Sequence, residues 1–406
     1  MFTLVVFIIL LLCLGVSYRY TKNIFAPAVY TNLIWLVCIL IFWIVPNNLP
    51  SLSLRFCGCL SLWVVGLTFS SLSMNCVKVR VDNEPIEASK LIRDIYLIVS
   101  ICSAYILFDF YKDVLTYGTY SNIFVNLRYA AVGSLPPYFT ETFSQKYGGI
   151  CSLIWSVSYI LEIAYLNKKN KLRFMIILLI VLVYATITVA KAVFVDYFIF
   201  SLVTLYLKKQ VRLKHLVVVG GILLGVFFLL QFLREGIDFS NVSDRYNFII
   251  LYLNSSMSAF DVLEPMSSAH IGENIFRFLY HIFNKLNLSS IEPIEPLLPF
   301  ISKPIVTNTY TIMYPFYKDF GSVAILIGAI FYGCLYGFFY KRYTTNQNNV
   351  WYLVSYIFMF KMLFYQYAAE SLLTNLYPAM LTLFLLYFPF WYSKYVPLKI
   401  KKECCT

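Results

Sequence analysis

One feature constrains this chain above all others. Apolar runs long enough to cross a bilayer recur along it, separated by short clusters of lysine and arginine. A hydrocarbon core about 30 Å thick needs roughly 17–25 apolar residues in helical form. Eleven segments meet that requirement: 2–18, 26–45, 54–75, 93–111, 147–166, 174–190, 192–207, 216–233, 323–340, 350–367 and 377–392. In lipid every backbone polar group must be satisfied within the chain, so such runs are read as helices. Composition agrees, because only 13% of residues are charged and 60% are hydrophobic. A soluble domain carries about 25% and 45–50%. The expected fold class is an all-α polytopic integral membrane protein, a single membrane domain over 1–406.

Charge placement sets the topology. Arg19, Lys22, Lys78, Arg80, Lys90, Arg93, Lys168, Lys169, Lys171, Arg173, Lys208, Lys209, Arg212, Lys214, Lys341, Arg342 and the C-terminal lysines crowd into short loops of one set. Short loops rich in Lys and Arg stay in the cytoplasm. Eleven crossings then place the N-terminus outside and the C-terminus inside. The first apolar run has no basic residue before it and no small-residue cleavage site, so it reads as a retained span. The ten cysteines lie mostly in or beside spans, where Cys acts as a small hydrophobe, and no disulfide framework is visible. The net charge of +12 is dispersed between spans, which excludes nucleic acid as a partner. No internal repeat is visible, which argues against a secondary transporter.

Two outer segments are long, 112–146 and 234–322, and loops of that length are usually functional. Within the second, 246–263 is apolar with a polar break at Asn254–Ser256, as in a re-entrant or interfacial helix buried against protein. Residues 275–288 place Arg277, His281 and Lys285 four apart on one helical face, with Phe276, Leu279, Phe283 and Leu286 on another. That pattern suits a helix lying in the membrane interface, in contact with membrane lipids. Prolines at 293, 296, 299 and 304 exclude regular helix and predict an extended strap. Next, Asn308, Tyr310, Thr311, Tyr314, Tyr317 and Asp319 set hydroxyl, amide and carboxylate groups beside aromatic rings. Sugar sites favour that mixture. The glycines at 328, 333 and 337 predict close helix packing.

The stretch NTYTIMYPFYKDFGSVAILIGAIFYGCLYG resembles the segment shared by Wzy-type O-antigen and capsular oligosaccharide repeat-unit polymerases, in which Asn-x-Tyr-Thr leads through Tyr and Asp-Phe-Gly into a Gly-rich span. The preceding SMSAFDVL resembles the family's short aromatic–acidic box. The paired Arg-x10-Gly spacing of some members is not found after Arg128, Arg234, Arg245 or Arg277. The resemblance implies a multi-pass protein of the bacterial inner membrane with two long periplasmic loops. It implies a metal-independent membrane glycosyltransferase, with no cofactor, that joins undecaprenyl-diphosphate-linked oligosaccharides by block transfer of the growing glycan. A chain-length regulator and a flippase are the protein partners consistent with such a reaction.

A lipid diphosphate leaving group at the outer interface requires cations there. Arg128, Lys191, Arg234, Arg245 and Arg277 are the outer candidates, arginine being favoured because its fork matches phosphate oxygens. Asn308, Tyr310, Tyr317 and Asp319 are the candidates for sugar contacts. For the base that activates an acceptor hydroxyl, His281, Asp261 and Glu273 are the leading candidates, with His270, Asp319 and Glu370 also available. O-antigen ligase, and a flippase or transporter of lipid-linked oligosaccharides, are the alternative readings.

Overall fold

A computed structural model describes residues 2–82, 84–131, 142–212, 250, 252–294, 298–302, 305 and 307–403, together with positions 218, 221, 225 and 229. Among these residues the fold is all helical. No strand forms, and the bridge between Ile301 and Thr307 is isolated. Helices follow in the order α1 (Phe2–Thr21), α2 (Pro27–Ile44), α3 (Leu54–Ser73), α4 (Lys90–Ser103), α5 (Tyr105–Tyr117), α6 (Ile123–Ala131), α7 (Phe143–Ala164), α8 (Lys171–Ile187) and α9 (Lys191–Leu207). Beyond them come α10 (Ser255–Asp261), α11 (Arg277–Lys285), α12 (Tyr314–Phe320), α13 (Ser322–Thr345), α14 (Val350–Phe364) and α15 (Leu376–Glu403).

Seven of these segments are long and apolar enough to cross a membrane: Phe2–Thr21, Pro27–Ile44, Leu54–Cys76, Lys90–Tyr117, Phe143–Ala164, Ser322–Thr345 and Leu376–Val396. The protein is therefore a multi-pass helical membrane protein, with fewer full-length crossings among the described residues than the eleven expected. Three further expected spans also form helices: α8 and α9 have 17 residues each, as long as expected, and α14 has 15. At 1.5 Å per residue such helices reach only about 22–25 Å. The expected span 216–233 lies largely outside the described residues. Within 112–146 helix continues to Tyr117 and resumes at Phe143, with α6 between.

The chain gathers into two compact units. One comprises Met1–Val81, Phe239–Asn346 and Met359–Leu381; the other comprises Asp82–Asp238, Gln347–Phe358 and Thr382–Thr406. In the first unit α13 lies along α3 at glycine contacts. A Cβ at Gly333 would stand 1.9 Å from Ser70 Oγ, and one at Gly337 would stand 2.9 Å from the Ser71 carbonyl oxygen. The glycines thus act as expected, letting two backbones approach more closely than any side chain allows. Gln366, fully buried, knots the same unit. Its Oε1 accepts from the indole N–H groups of Trp35 (3.1 Å) and Trp63 (3.2 Å), and its Nε2 donates to Thr31 Oγ1. Its backbone carbonyl accepts from Ile312 N at 2.9 Å, which fixes the aromatic segment around residue 312 onto this core.

In the second unit the core carries charge. Arg93 makes a two-pronged contact with Glu162 at 3.2 and 2.8 Å, and Arg173 makes another at 3.1 and 3.0 Å. Arg173 also bonds Asp94. The Arg93 guanidinium lies 4.0 Å from the centre of the Tyr165 ring, whose hydroxyl accepts from Ala88 N. Leu127 and Ala130 of α6 pack into a small core with Phe110, Val114 and Val189, so part of the first outer segment is anchored.

Candidate functional site

The two sequence segments singled out above meet in the first unit. Ala259, from the SMSAFD helix α10, packs with Ile305, Tyr310 and Tyr314. The Phe260 ring sits 5.0 Å from that of Tyr317, and Met266 N donates to the Tyr317 carbonyl. The break at Asn254 is tied to another helix, because Asn254 Nδ2 donates to the Cys38 carbonyl at 2.7 Å. All side chains from Asn254 to Phe260 are buried, as the re-entrant reading required. The segment ends at Gly321, where φ is +75° between α12 and α13. Only glycine adopts that turn without strain, so the Asp-Phe-Gly ending is a joint between two helices.

A cavity of about 240 Å³ opens above this contact. Asn274 and Arg277 form one part of its wall, and Ile294 and Leu298 of the proline-rich strap form another. Asn308, Thr309, Tyr310, Tyr314 and Pro315 line it from the aromatic segment, and Ala369, Glu370, Thr374 and Asn375 from the turn before α15. The strap is held in place by hydrogen bonds: Ile301 and Thr307 exchange bonds of 2.7 and 3.1 Å, and Tyr310 Oη donates to the Pro299 carbonyl at 2.9 Å. As expected, no regular helix forms in the described part of the strap.

The rings of Tyr310 and Tyr314 lie 4.8 Å apart. Burial, reinforced by the charges of Asp319 and Glu273, pushes the Tyr314 phenol up to about 12. Burial and the neighbouring Tyr314 raise that of Tyr310. Both phenols therefore stay protonated at neutral pH. Burial also lowers the Arg277 guanidinium from its ordinary value, but an arginine remains charged at neutral pH. Its Nε is buried and has no hydrogen-bond partner among the described residues. No described carboxylate forms an ion pair with it. A half-buried cation without an acid beside it is costly alone and favours an anionic ligand.

Of the residues expected from the sequence, Arg277, Asn308 and Tyr310 come together at this cavity. Others are spent on the protein itself. Asp319 accepts from Ser268 Oγ (2.6 Å), Asn274 Nδ2 (2.6 Å), Asn274 N (3.2 Å) and Ile275 N (2.9 Å), so its carboxylate shapes the 268–275 loop and is not among the cavity's lining. That arrangement places the Asn274 side chain in the wall. Glu273 closes the same loop by accepting from Ala269 N and His270 N. Asp261 accepts from Ser53 N at 2.7 Å and bonds Ser53 Oγ. Arg55 bonds the Asp261 carbonyl and lies 5.7 Å from the Tyr317 ring centre. Tyr317 is buried in that contact. His281 is exposed on α11.

Arg128 on α6 and Lys191, buried at the start of α9, belong to the second unit. Arg234 and Arg245 lie outside the described residues. Sequence reading passed over Asn274, Thr374 and Asn375, since single amides and hydroxyls in short turns carry no pattern. It also passed over Arg55, whose position at the start of an apolar span hid its contact with Asp261.

The fold and the cavity together define a multi-pass helical membrane protein with a polar, aromatic and cationic site in one of its two units. No protein-family model, curated protein or solved structure matches this chain.

Proposed function

We propose that this protein is a polymerase of lipid-linked glycan repeat units, working at the outer face of the bacterial inner membrane as in O-antigen or capsule assembly. In this reading the chain crosses the membrane eleven times, with the N-terminus outside and both long segments facing the periplasm. The donor is a growing glycan on undecaprenyl diphosphate, and the acceptor is a new lipid-linked unit. A sugar hydroxyl of the acceptor attacks the anomeric carbon of the donor. The bond from that carbon to the diphosphate breaks, its electron pair leaves on the phosphate oxygen, and the hydroxyl proton is released.

The observation that carries the reading is Arg277. Its guanidinium, whose Nε has no hydrogen-bond partner among the described residues, shares a cavity wall with the amides of Asn274, Asn308 and Asn375 and with the packed tyrosines 310 and 314. The guanidinium suits a phosphate leaving group, and charge placed where charge develops accelerates the step. Amides, hydroxyls and ring faces suit sugar. The amphipathic α11, with no buried residue, supports placement of this cation at headgroup depth.

The test is a deletion strain analysed by electrophoresis of its surface glycolipid and its lipid-linked glycan pool. Single repeats capping the surface lipid, in place of a ladder, are the expected result. Long polymer retained on undecaprenyl diphosphate would instead mark a ligase. Single repeats trapped on the cytoplasmic leaflet would mark a flippase, and either outcome overturns the proposal.

A further inference from the structure

Among the described residues lining the cavity, Glu370 is the one carboxylate, and its surroundings set its two oxygens apart. Oε1 accepts from Leu372 N at 2.7 Å, from Leu373 N at 2.9 Å and from the Tyr332 hydroxyl. Among the described residues Oε2 accepts only from Thr374 N, at 2.7 Å. An ionised carboxylate offers about four lone-pair positions, roughly two on each oxygen. Oε1 is therefore saturated, and Oε2 keeps an acceptor position. Glu370 is 7% exposed, and its backbone carbonyl accepts from Thr374 Oγ1 at 2.7 Å, so the turn that carries it is cross-tied at both ends. A carboxylate pinned by its own turn, yet bordering a cavity, is aimed before any ligand arrives.

We propose that Glu370, through Oε2, accepts the proton of the acceptor sugar hydroxyl during glycosyl transfer. The assignment rests on the polymerase reading above. As the hydroxyl oxygen bonds to the anomeric carbon its proton becomes acidic and moves to Oε2. The bond to the lipid diphosphate breaks, and its electron pair leaves on the phosphate oxygen that Arg277 meets. The proton then passes from Glu370 to water, restoring the carboxylate. Two oxygens of one side chain thus divide the work: Oε1 holds the turn and Oε2 serves the substrate. Asp319, Glu273 and Asp261 are not among the described residues that line the cavity, and their carboxylates accept from donors of the protein itself.

The experiment uses the full-length protein in nanodiscs with undecaprenyl-diphosphate-linked repeat units, comparing wild type with Glu370→Gln. Glutamine keeps the oxygen needed at the Oε1 position and cannot accept a proton, though its NH2 gives up the bond from Thr374 N. The expected result is a turnover loss of about 10²-fold or more per folded molecule, the usual weight of a general base, with binding of the lipid-linked unit unchanged. Turnover within about threefold of wild type overturns the assignment while leaving the polymerase reading intact. Absence of polymer from the wild type overturns both. A second measurement needs no variant: the wild-type single-turnover rate, compared in light and heavy water, should show a normal solvent isotope effect. Equal rates overturn the assignment even where Glu370→Gln does not fold.

Discussion

Each unit of this protein contains arginines withdrawn from water, and the two units treat them in opposite ways. In the second unit Arg93 is 8% exposed and Glu162 is 2% exposed, with Arg173 completing a shared cluster on the same carboxylate. Every charge there has a partner inside the protein. In the first unit Arg277 presents a buried Nε with no hydrogen-bond partner among the described residues, and Glu370, the carboxylate in the described lining of the same cavity, forms no ion pair with it. A buried charge is tolerated when it is paired. The paired cluster is complete without a ligand and serves the fold. Arg277 has no such partner among the described residues, and under the proposed function a phosphate of the substrate supplies it.

The largest expected effect falls on the complete cluster. Glu162→Ala leaves two arginines without their shared acid and should cost about 3–5 kcal/mol of stability, read as a lowered melting temperature in detergent. Replacing Arg93, Glu162 and Arg173 together by apolar residues of similar size should recover most of that loss, because an intact ion cluster adds little net stability over good packing. A triple variant as unstable as Glu162→Ala would mean that the cluster has a role beyond the fold.

The opposite pattern is expected at Arg277. Arg277→Ala should leave stability within about 1 kcal/mol and lower polymer yield by about 10²-fold, equivalent to about 2.7 kcal/mol of barrier. Arg277→Lys should recover only part of the yield, since an ammonium lacks the fork that grips two phosphate oxygens. A large drop in melting temperature with yield per folded molecule unchanged would erase the contrast between the units.

Smaller effects sharpen the picture of the cavity. Tyr310→Phe removes the bond to the Pro299 carbonyl and should cost about 1 kcal/mol while loosening the strap, measured as faster proteolysis between residues 291 and 302. The Tyr314 phenol gives an alkaline signature. Its folded-state value of about 12 lies above the ordinary 10, so the folded protein holds that proton more tightly. The associated stability is fully present below pH 10 and is lost as pH rises from 10 through about 12. Tyr314→Phe should flatten that part of the stability–pH curve, and an unchanged curve would show that the phenol is not buried as described.

Much of the frame was legible in the sequence, because it follows from local rules. Apolar length specifies a helix in lipid, proline at 293 and 299 forbids helix in the strap, and the spacing of Gly328, Gly333 and Gly337 announces a close helix contact. Hydropathy also located α8 and α9 to within about three residues, and the turns at Thr188 and Lys208 end them. The site was legible in part. Arg277, Asn308 and Tyr310 stood out by type, whereas Asp319 did too and proved to be bound up with the backbone of 274 and 275. A carboxylate looks the same in a sequence whether its oxygens face a loop or a cavity.

The sequence by itself determined that this chain is a helical membrane protein and that its polar chemistry gathers in the segment before α13. Both follow from composition along the chain, which needs no knowledge of what folds against what. Only the tertiary structure decided which polar groups remain available. Asn274 and Arg277, Tyr310, and Glu370 come from three separate stretches and meet at one cavity, while Asp261, Glu273 and Asp319 are consumed by neighbouring donors. Availability is what remains after each buried polar group has found its partner. Those partners are assigned by packing between segments distant in the chain, so no local reading of the residues could have supplied them.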